Sequence, residues 1–422
     1  MRPSAHLAVG LIVATTLLLM LTRPRRIAEV WWVGGGAAIL VVTRLVSWRT
    51  AIHAASEGTD VYLFLVGMML LSELARREGV FGWLAGVAVG SSRHSRSRLF
   101  TTVYAIGTGV TIFMSNDATA VVLTPAILAA VKRAKVPPLP YLFICALIAN
   151  AASFVLPISN PANLVVFGGG MPSLGRWLAS FALPSALSIV VTYGALRWLF
   201  RRELRGPMPE DVRTVPLSRD GKLVLVGLAL VTVVLLVASG LETDLGLPTF
   251  VASVVVTSAV CASARRNPLP LVRAISASTV CLVAGLFVLV DAVEGIGALD
   301  VTRTWLASAA SMPPVAGAFL TGSVVAAVNN AVNNLPLGLI AGAALRQAHP
   351  STWVSNAVLI GVDLGPNLSV TGSLATILWL IALRKENVEV SFVQFLKVGI
   401  VVMPLALIAA IGGSLATMDL IR

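Results

Sequence analysis

Runs of eighteen or more residues almost free of charge recur along this 422-residue chain, at 5–22, 223–240 and 395–418 among others. A helix of that length crosses the roughly 30 Å hydrocarbon core of a bilayer. The soluble alternative fails on composition: 57% of residues are hydrophobic and 12% charged, against about 25% charged in an ordinary globular domain. The bilayer is therefore the solvent, and the chain reads as an all-α polytopic membrane protein. Its first apolar run has no basic start and no clean small-x-small cleavage site, and many spans follow it, so it reads as a retained helix rather than a signal peptide.

The net charge of +12 would point to nucleic acid in a soluble protein. Here Lys and Arg fall between the apolar runs, the distribution of cytoplasmic loops, so no nucleic-acid partner is expected. Basic clusters lie at Arg23 to Arg26, Arg76 and Arg77, Arg93 to Arg98, Lys132 to Lys135, Arg265 to Arg273, and Arg384 with Lys385. The stretch 201–222 carries six Lys or Arg with several Pro and Gly, and reads as a cytoplasmic linker between a first membrane repeat, 1–200, and a second, 223–422.

The runs 99–114 and 118–131 have Arg98 before them and Lys132 after them, which makes them the arms of a re-entrant hairpin. The first half then has spans near 5–22, 29–46, 60–76, 141–170 and 173–200. The second has spans at 223–240, 247–263, 274–291, 351–383 and 394–419, with a hairpin at 315–346. Five crossings per half put both termini outside and force the two repeats into inverted orientation. Sites in proteins built this way lie where discontinuous helices meet near the midplane. Arg44 and Arg49 fall on the outer side and count against the scheme.

Polar residues inside membrane segments cost a few kcal/mol each and face the bundle interior or an aqueous cavity. Four clusters stand out. Ser115, Asn116, Asp117 and Thr119 mark the tip of the first hairpin; Asn329, Asn330, Asn333 and Asn334 mark that of the second. Asn150, Pro157, Ser159, Asn160, Pro161 and Asn163 interrupt the span from Tyr141. Asp363, Gly365, Pro366, Asn367, Ser369, Thr371, Gly372, Ser373 and Thr376 interrupt its counterpart. An offset of 213 residues carries Asn150 onto Asp363 and Asn163 onto Thr376, whereas the hairpin tips align at 217. Hydrogen bonds between neighbouring helices explain any one of these residues, but need neither prolines nor mirrored spacing. The pattern marks a substrate site formed by unwound backbone and helix N-termini. Asp117 and Asp363 are the only acids in it. A desolvated carboxylate holds its proton more readily, so both are proton-carrier candidates; satisfaction by nearby amides is the alternative.

The remaining polar residues carry less. Glu73, Arg76, Arg77 and Glu78 end a helix within reach of the interface, and Asp291 and Glu294 end another. His6, His53, His94 and His349 are scattered, and Cys145, Cys261 and Cys281 lie singly in apolar segments as packing residues. No metal site, no cofactor and no catalytic constellation follows from such spacing, so an enzyme is not expected. Trp31, Trp32, Trp48, Trp83, Trp177 and Trp198 sit mostly near span ends, as interfacial belts do.

In the stretches Ser115 to Pro125, Asn333 to Pro336 and Ile360 to Leu380 the chain resembles the arsenical-pump membrane protein family. That family lies within an ion-transporter superfamily that also holds dicarboxylate symporters and sodium/proton antiporters. The resemblance covers nearly the whole chain. It implies export of trivalent arsenic (arsenite) and antimonite across the inner membrane, driven by protons and in some members assisted by a soluble ATPase subunit. By motif match the family's tip pairs fall on Asn116 with Asp117 and on Asn333 with Asn334, and its interrupted-helix acid on Asp363. Many members carry an acid where this chain has Asn150, and others differ at Asn367, which leaves proton stoichiometry open. Sodium-coupled transport of a dicarboxylate or sulfate is the competing function, although no Lys or Arg lies in the four clusters to hold fixed negative charge. Arsenous acid, mostly neutral near pH 7, suits an amide- and hydroxyl-lined pocket better. Sodium/proton antiport remains compatible with carboxylates and unwound carbonyls.

Overall fold

The computed structural model describes residues 3–208 and 216–418. Residues 209–215 of the expected linker, and the residues at both ends of the chain that carry the expectation of external termini, lie outside the described ones. All regular elements described are helices.

The first half comprises α1 (Pro3–Thr22), α2 (Glu29–Val42), α3 (Trp48–Glu57), α4 (Thr59–Arg77), α5 (Val80–Ser91) and α6 (Arg96–Phe113). After a polar tip the chain enters a π-helical turn, Ala118–Leu123, that runs into α7 (Thr124–Arg133). It continues through α8 (Leu139–Ala151), a 3-10 turn at Pro157–Ser159, α9 (Pro161–Phe167) and α10 (Leu174–Leu199). The second half repeats this order as α11 (Arg219–Gly240), α12 (Gly246–Ser263), α13 (Leu269–Ala274), α14 (Ala277–Gly295), α15 (Leu299–Ala310) and α16 (Pro314–Val332). There follow α17 (Asn334–Ala348), α18 (Thr352–Leu364), 3-10 turns at Gly365–Asn367 and Val370–Gly372, α19 (Leu374–Lys385) and α20 (Phe392–Ala416).

Packing follows the same duplication. Helix α10 lies against its counterpart α20, and α4 packs on α12 while α14 packs on α2, the same pair with the halves exchanged. Helix α8 packs on α6, as α18 does on α16. This exchange is the signature of two repeats related by a pseudo-two-fold axis, and an odd number of crossings in each makes the repeats inverted.

Among the described residues, seven helices (α1, α10, α11, α12, α14, α16 and α20) are long and apolar enough to cross a membrane, and α3 with α4, bent by 51° at Gly58, makes an eighth. Their outward faces stay apolar because hydrocarbon, not water, surrounds them. On α11, Val226, Leu230, Val233 and Val237 are exposed while Val224, Val231 and Leu235 are buried.

Two helices per half were not expected: α3 and α5 in the first, α13 and α15 in the second. Helices α5 and α15 have 12 residues each, about 18 Å at the helical rise and short of a crossing. Each lies against both arms of its own hairpin. Of the three cysteines, Cys145 and Cys261 are buried, but Cys281 is exposed on α14 and is not a packing residue.

Candidate functional site

The span from Leu139 breaks after Ala151 because prolines at 157 and 161 cannot continue a helix but fit its first turn. The freed backbone groups all need partners inside a membrane. Asn160 caps α9, its Oδ1 accepting from the Ala162 amide at 3.0 Å. The Asn163 Nδ2 donates to the carbonyls of Ser153, Leu156 and Pro157 at 2.9, 3.3 and 3.3 Å. Ser159 donates to the Ile112 carbonyl at the end of α6 at 3.0 Å. From α10, Ser188 reaches the Ala151 carbonyl at 2.9 Å and the Trp177 indole reaches Phe154 at 3.2 Å.

The matching break after Leu364 is held by the second hairpin. Asn329 donates to the Val362 carbonyl, and Asn330 donates to Gly365 at 3.0 Å while accepting from the Ser369 hydroxyl at 2.6 Å. Thr371 donates to the Asn330 carbonyl at 2.8 Å, and Asn333 donates to the Thr371 carbonyl at 3.2 Å. Asn333 turns the hairpin at φ +81°, ψ 152°, a conformation that side-chain-bearing residues rarely adopt and that persists only where the surroundings over-determine it. Ser373 caps α19, accepting from the Thr376 amide at 3.3 Å.

The two breaks meet across the repeats. The Asn160 Nδ2 donates to Asp363 Oδ1 at 2.8 Å, and the Asn150 Nδ2 donates to Asn367 Oδ1 at 2.9 Å. Asn367 in turn donates to the Leu147 carbonyl at 3.0 Å. Asp363 is completely buried, and its second oxygen, like Asn150 Oδ1, has no hydrogen-bond partner among the described residues.

Beside this junction lies a cavity of about 20 Å³ where both hairpin tips and both capped N-termini converge. Asn116 and Asp117 come from the first tip, Asn334 from the second, and Asn160 and Ser373 from the caps of α9 and α19, with Leu65 and Thr279 completing the wall. The space holds about one water-sized molecule. Its polar wall is made of amides, hydroxyls and one carboxylate, with no Lys or Arg. Asn334 Oδ1, buried and unpartnered, is an acceptor with capacity to spare. Through Asn160 the cavity is one hydrogen bond from Asp363.

Asp117 also lines a much larger vestibule of about 530 Å³, shared with Ser115, Pro161 and Thr279. Its outer wall includes Arg23, Glu29, Glu73, Ala274 and Ile381. Arg23 belongs to the basic cluster at 23–26, and the others lie one to three residues from those at 23–26, 76–77, 265–273 and 384–385. Arg23 and Glu29 are paired with each other.

Of the residues singled out in the sequence, Asn116, Asp117, Asn160, Asn334 and Ser373 line the small cavity, and Ser115 lines the vestibule. Asp363, Asn150 and Asn367 form the layer behind it. Ser159, Asn163 and Asn333 are engaged in holding the breaks together. Thr119 bonds the Thr111 hydroxyl at 2.8 Å, and Thr376 is buried with its hydroxyl unpartnered. Leu65 and Thr279 were missed: they come from α4 and α14, where nothing in the local pattern separates them from ordinary span residues. Among the described residues no group of His, Cys, Asp and Glu could hold a metal ion.

Comparison with known proteins gives three findings. The citrate transporter family profile matches residues 10–367. The arsenical pump membrane protein of Yersinia enterocolitica is 27% identical over 418 residues, covering 94% of this chain and 95% of that protein. That of Escherichia coli is 26% identical over 427 residues, covering 94% and 95%. The crystal structure of the Alcanivorax borkumensis YdaH transporter superposes with a TM-score of 0.57 at 16% identity, over 88% of this chain and 87% of that one; at that identity it speaks for the fold alone.

Proposed function

The chain belongs to the citrate transporter family, and from that premise we propose that it exports trivalent arsenic, as arsenous acid, and antimonite from the cytoplasm in exchange for protons. It is a multi-pass transporter of the inner membrane. The observation that carries it is the wall of the small cavity. Citrate is a polyanion, and desolvating fixed negative charge without paired cations is prohibitively costly. The cavity supplies a carboxylate instead of a cation. Arsenous acid is neutral and carries hydroxyl donors, which match spare acceptors such as Asn334 Oδ1. The relatives named arsenical pump membrane proteins support the same substrate class.

The vestibule opens among basic clusters, which the positive-inside rule assigns to the cytoplasm, so the conformation described is the loading state of an exporter. Substrate would enter along Ser115 and Asp117 and displace the hairpin tip to occupy a cavity now sized for about one water. Asp363, one hydrogen bond behind Asn160, is the group that exchanges a proton between the two limbs of the cycle, and Asp117 is the second candidate.

The test is uptake into everted vesicles, with arsenite and labelled citrate compared in the presence and absence of a proton gradient. Gradient-dependent arsenite accumulation, with raised resistance in an arsenite-sensitive bacterium, is the expected result. Citrate accumulation without arsenite transport, from protein verified in the membrane, overturns the proposal.

A further inference from the structure

Away from the transport pathway, the start of α6 and the end of α10 form two adjoining concavities of about 510 and 480 Å³ that share Ser97 and Arg197. Arg93, Arg98, Arg197, Arg201 and Arg205 converge on them. Ser91, Thr101 and Thr102 line the first of them, their hydroxyls donating to the carbonyls of Val87, Ser97 and Arg98 one turn back. The chain leaving α10 builds one wall by folding back on the α5–α6 loop, Met208 donating to the His94 carbonyl at 2.9 Å. No carboxylate pairs with any of these five arginines among the described residues.

We propose that this pocket binds the phosphodiester headgroup of an anionic phospholipid of the inner leaflet. Arginine guanidinium groups are the charge-assisted donors such an oxyanion needs, and basic pockets between helices on the cytoplasmic side are suited to anionic headgroups. Part of the site is preset: Tyr193 shares a 2.7 Å hydrogen bond with Thr101, and Arg197 donates to the Tyr193 hydroxyl at 3.2 Å. Arg201 stacks over the Trp198 ring at 5.2 Å, an aromatic at the level where indoles anchor at the interface. Below the arginines, Leu183 and Val190 are exposed on α10, one helical face continuous with Trp198, and offer an apolar track for an acyl chain. A soluble phosphate has no use for that track.

The internal repeat supplies a control. At an offset of 218 residues, Arg93, Ser97, Arg98 and Arg197 correspond to Ser311, Val315, Ala316 and Leu415 at the matching ends of α16 and α20. The fold therefore does not require arginine at these positions. The charge belongs to one side of the membrane. A general excess of cytoplasmic Lys and Arg explains the sign, but not the convergence of five arginines on two adjoining depressions.

The experiment uses full-length protein in phosphatidylcholine vesicles carrying brominated phosphatidylglycerol or brominated phosphatidylcholine. The signal is the Trp198 component of fluorescence quenching, obtained by difference from Trp198→Phe. The expected result is stronger quenching by the brominated anionic lipid, with the preference falling roughly twentyfold in an Arg98→Gln/Arg197→Gln variant, about fivefold per arginine near the surface. An Arg98→Lys/Arg197→Lys variant should retain most of the preference, and Arg49→Gln on α3 should leave it intact. Equal quenching of the wild-type protein by the two lipids overturns the proposal without recourse to any variant. Displacement of the anionic lipid by millimolar glycerophosphate at matched ionic strength also overturns it, in favour of a soluble phosphate ligand.

Discussion

Replacing Asp363 by Asn tests whether this carboxylate couples transport. Asn160 donates to Asp363 Oδ1 at 2.8 Å, and an Asn side chain presents a carbonyl oxygen at the same place, so the contact between the repeats survives. The new amide donor replaces an oxygen that has no partner and costs at most about 1–3 kcal/mol if left unsatisfied. The transport consequence is larger in kind. One proton moving through about 100 mV is worth ~2.3 kcal/mol, which sustains roughly a fiftyfold gradient of a neutral substrate. In everted vesicles held near that potential, Asp363→Asn should let arsenite equilibrate across the membrane, its accumulation ratio falling toward one while exchange of labelled substrate continues. Asp363→Ala removes the acceptor as well and strands the Asn160 amide, so it should lose stability where Asp363→Asn does not. A gradient-dependent accumulation ratio close to wild type in Asp363→Asn would refute the assignment, and persistence in a double variant with Asp117→Asn would move coupling elsewhere altogether.

Three further outcomes are expected. Asn150→Ala deprives Asn367 Oδ1 of its 2.9 Å donor and should lower stability by about 1–3 kcal/mol, read as earlier thermal unfolding in detergent. A side chain at Gly342 on α17 would stand 2.6 and 2.7 Å from the Val166 and Val165 carbonyls of α9; Gly342→Val should therefore cost about 1–3 kcal/mol of overpacking and impair transport by prising the second hairpin from the first break, as the same two assays would register. With the linker in the cytoplasm, a cysteine at Ser218 should react with an impermeant reagent in everted vesicles and not in intact cells; its hydroxyl caps α11 at 2.9 Å from the Gly221 amide, so a modest stability loss of about 1 kcal/mol accompanies the change.

The hairpins and breaks were legible because Asn, Asp and Pro stand out in runs that are otherwise apolar, and because the two halves place them alike. The division of labour among the asparagines was not legible. Asn160 and Asn163 are three residues apart in one motif, yet one faces the cavity and the other donates to three freed carbonyls. Which amide the backbone claims depends on where the unwound carbonyls point, and side-chain type does not encode that. Helices α5 and α15 were missed for a different reason. At 12 residues they are too short to read as spans, and basic clusters flank α5 on both sides, so its sequence looks like a loop between membrane segments. The vestibule wall was invisible for a third reason: Leu65 and Thr279 reach it from helices that the chain order separates widely from the hairpins.

The junction of Asn160 with Asp363 bears on how such a chain could have arisen. In the repeat alignment Asn150 stands where Asp363 stands, and Asn160 where Ser373 stands. A symmetric dimer of first halves would set Asn160 against Asn150 and bring no acid to the junction of its breaks. A dimer of second halves would bring two, and like charges held at one junction repel. A single acid there has odd parity, and no arrangement of two identical subunits can supply it. Fusion of a duplicated ancestor followed by divergence of the two copies is the simplest route to one carboxylate at the junction of two like breaks.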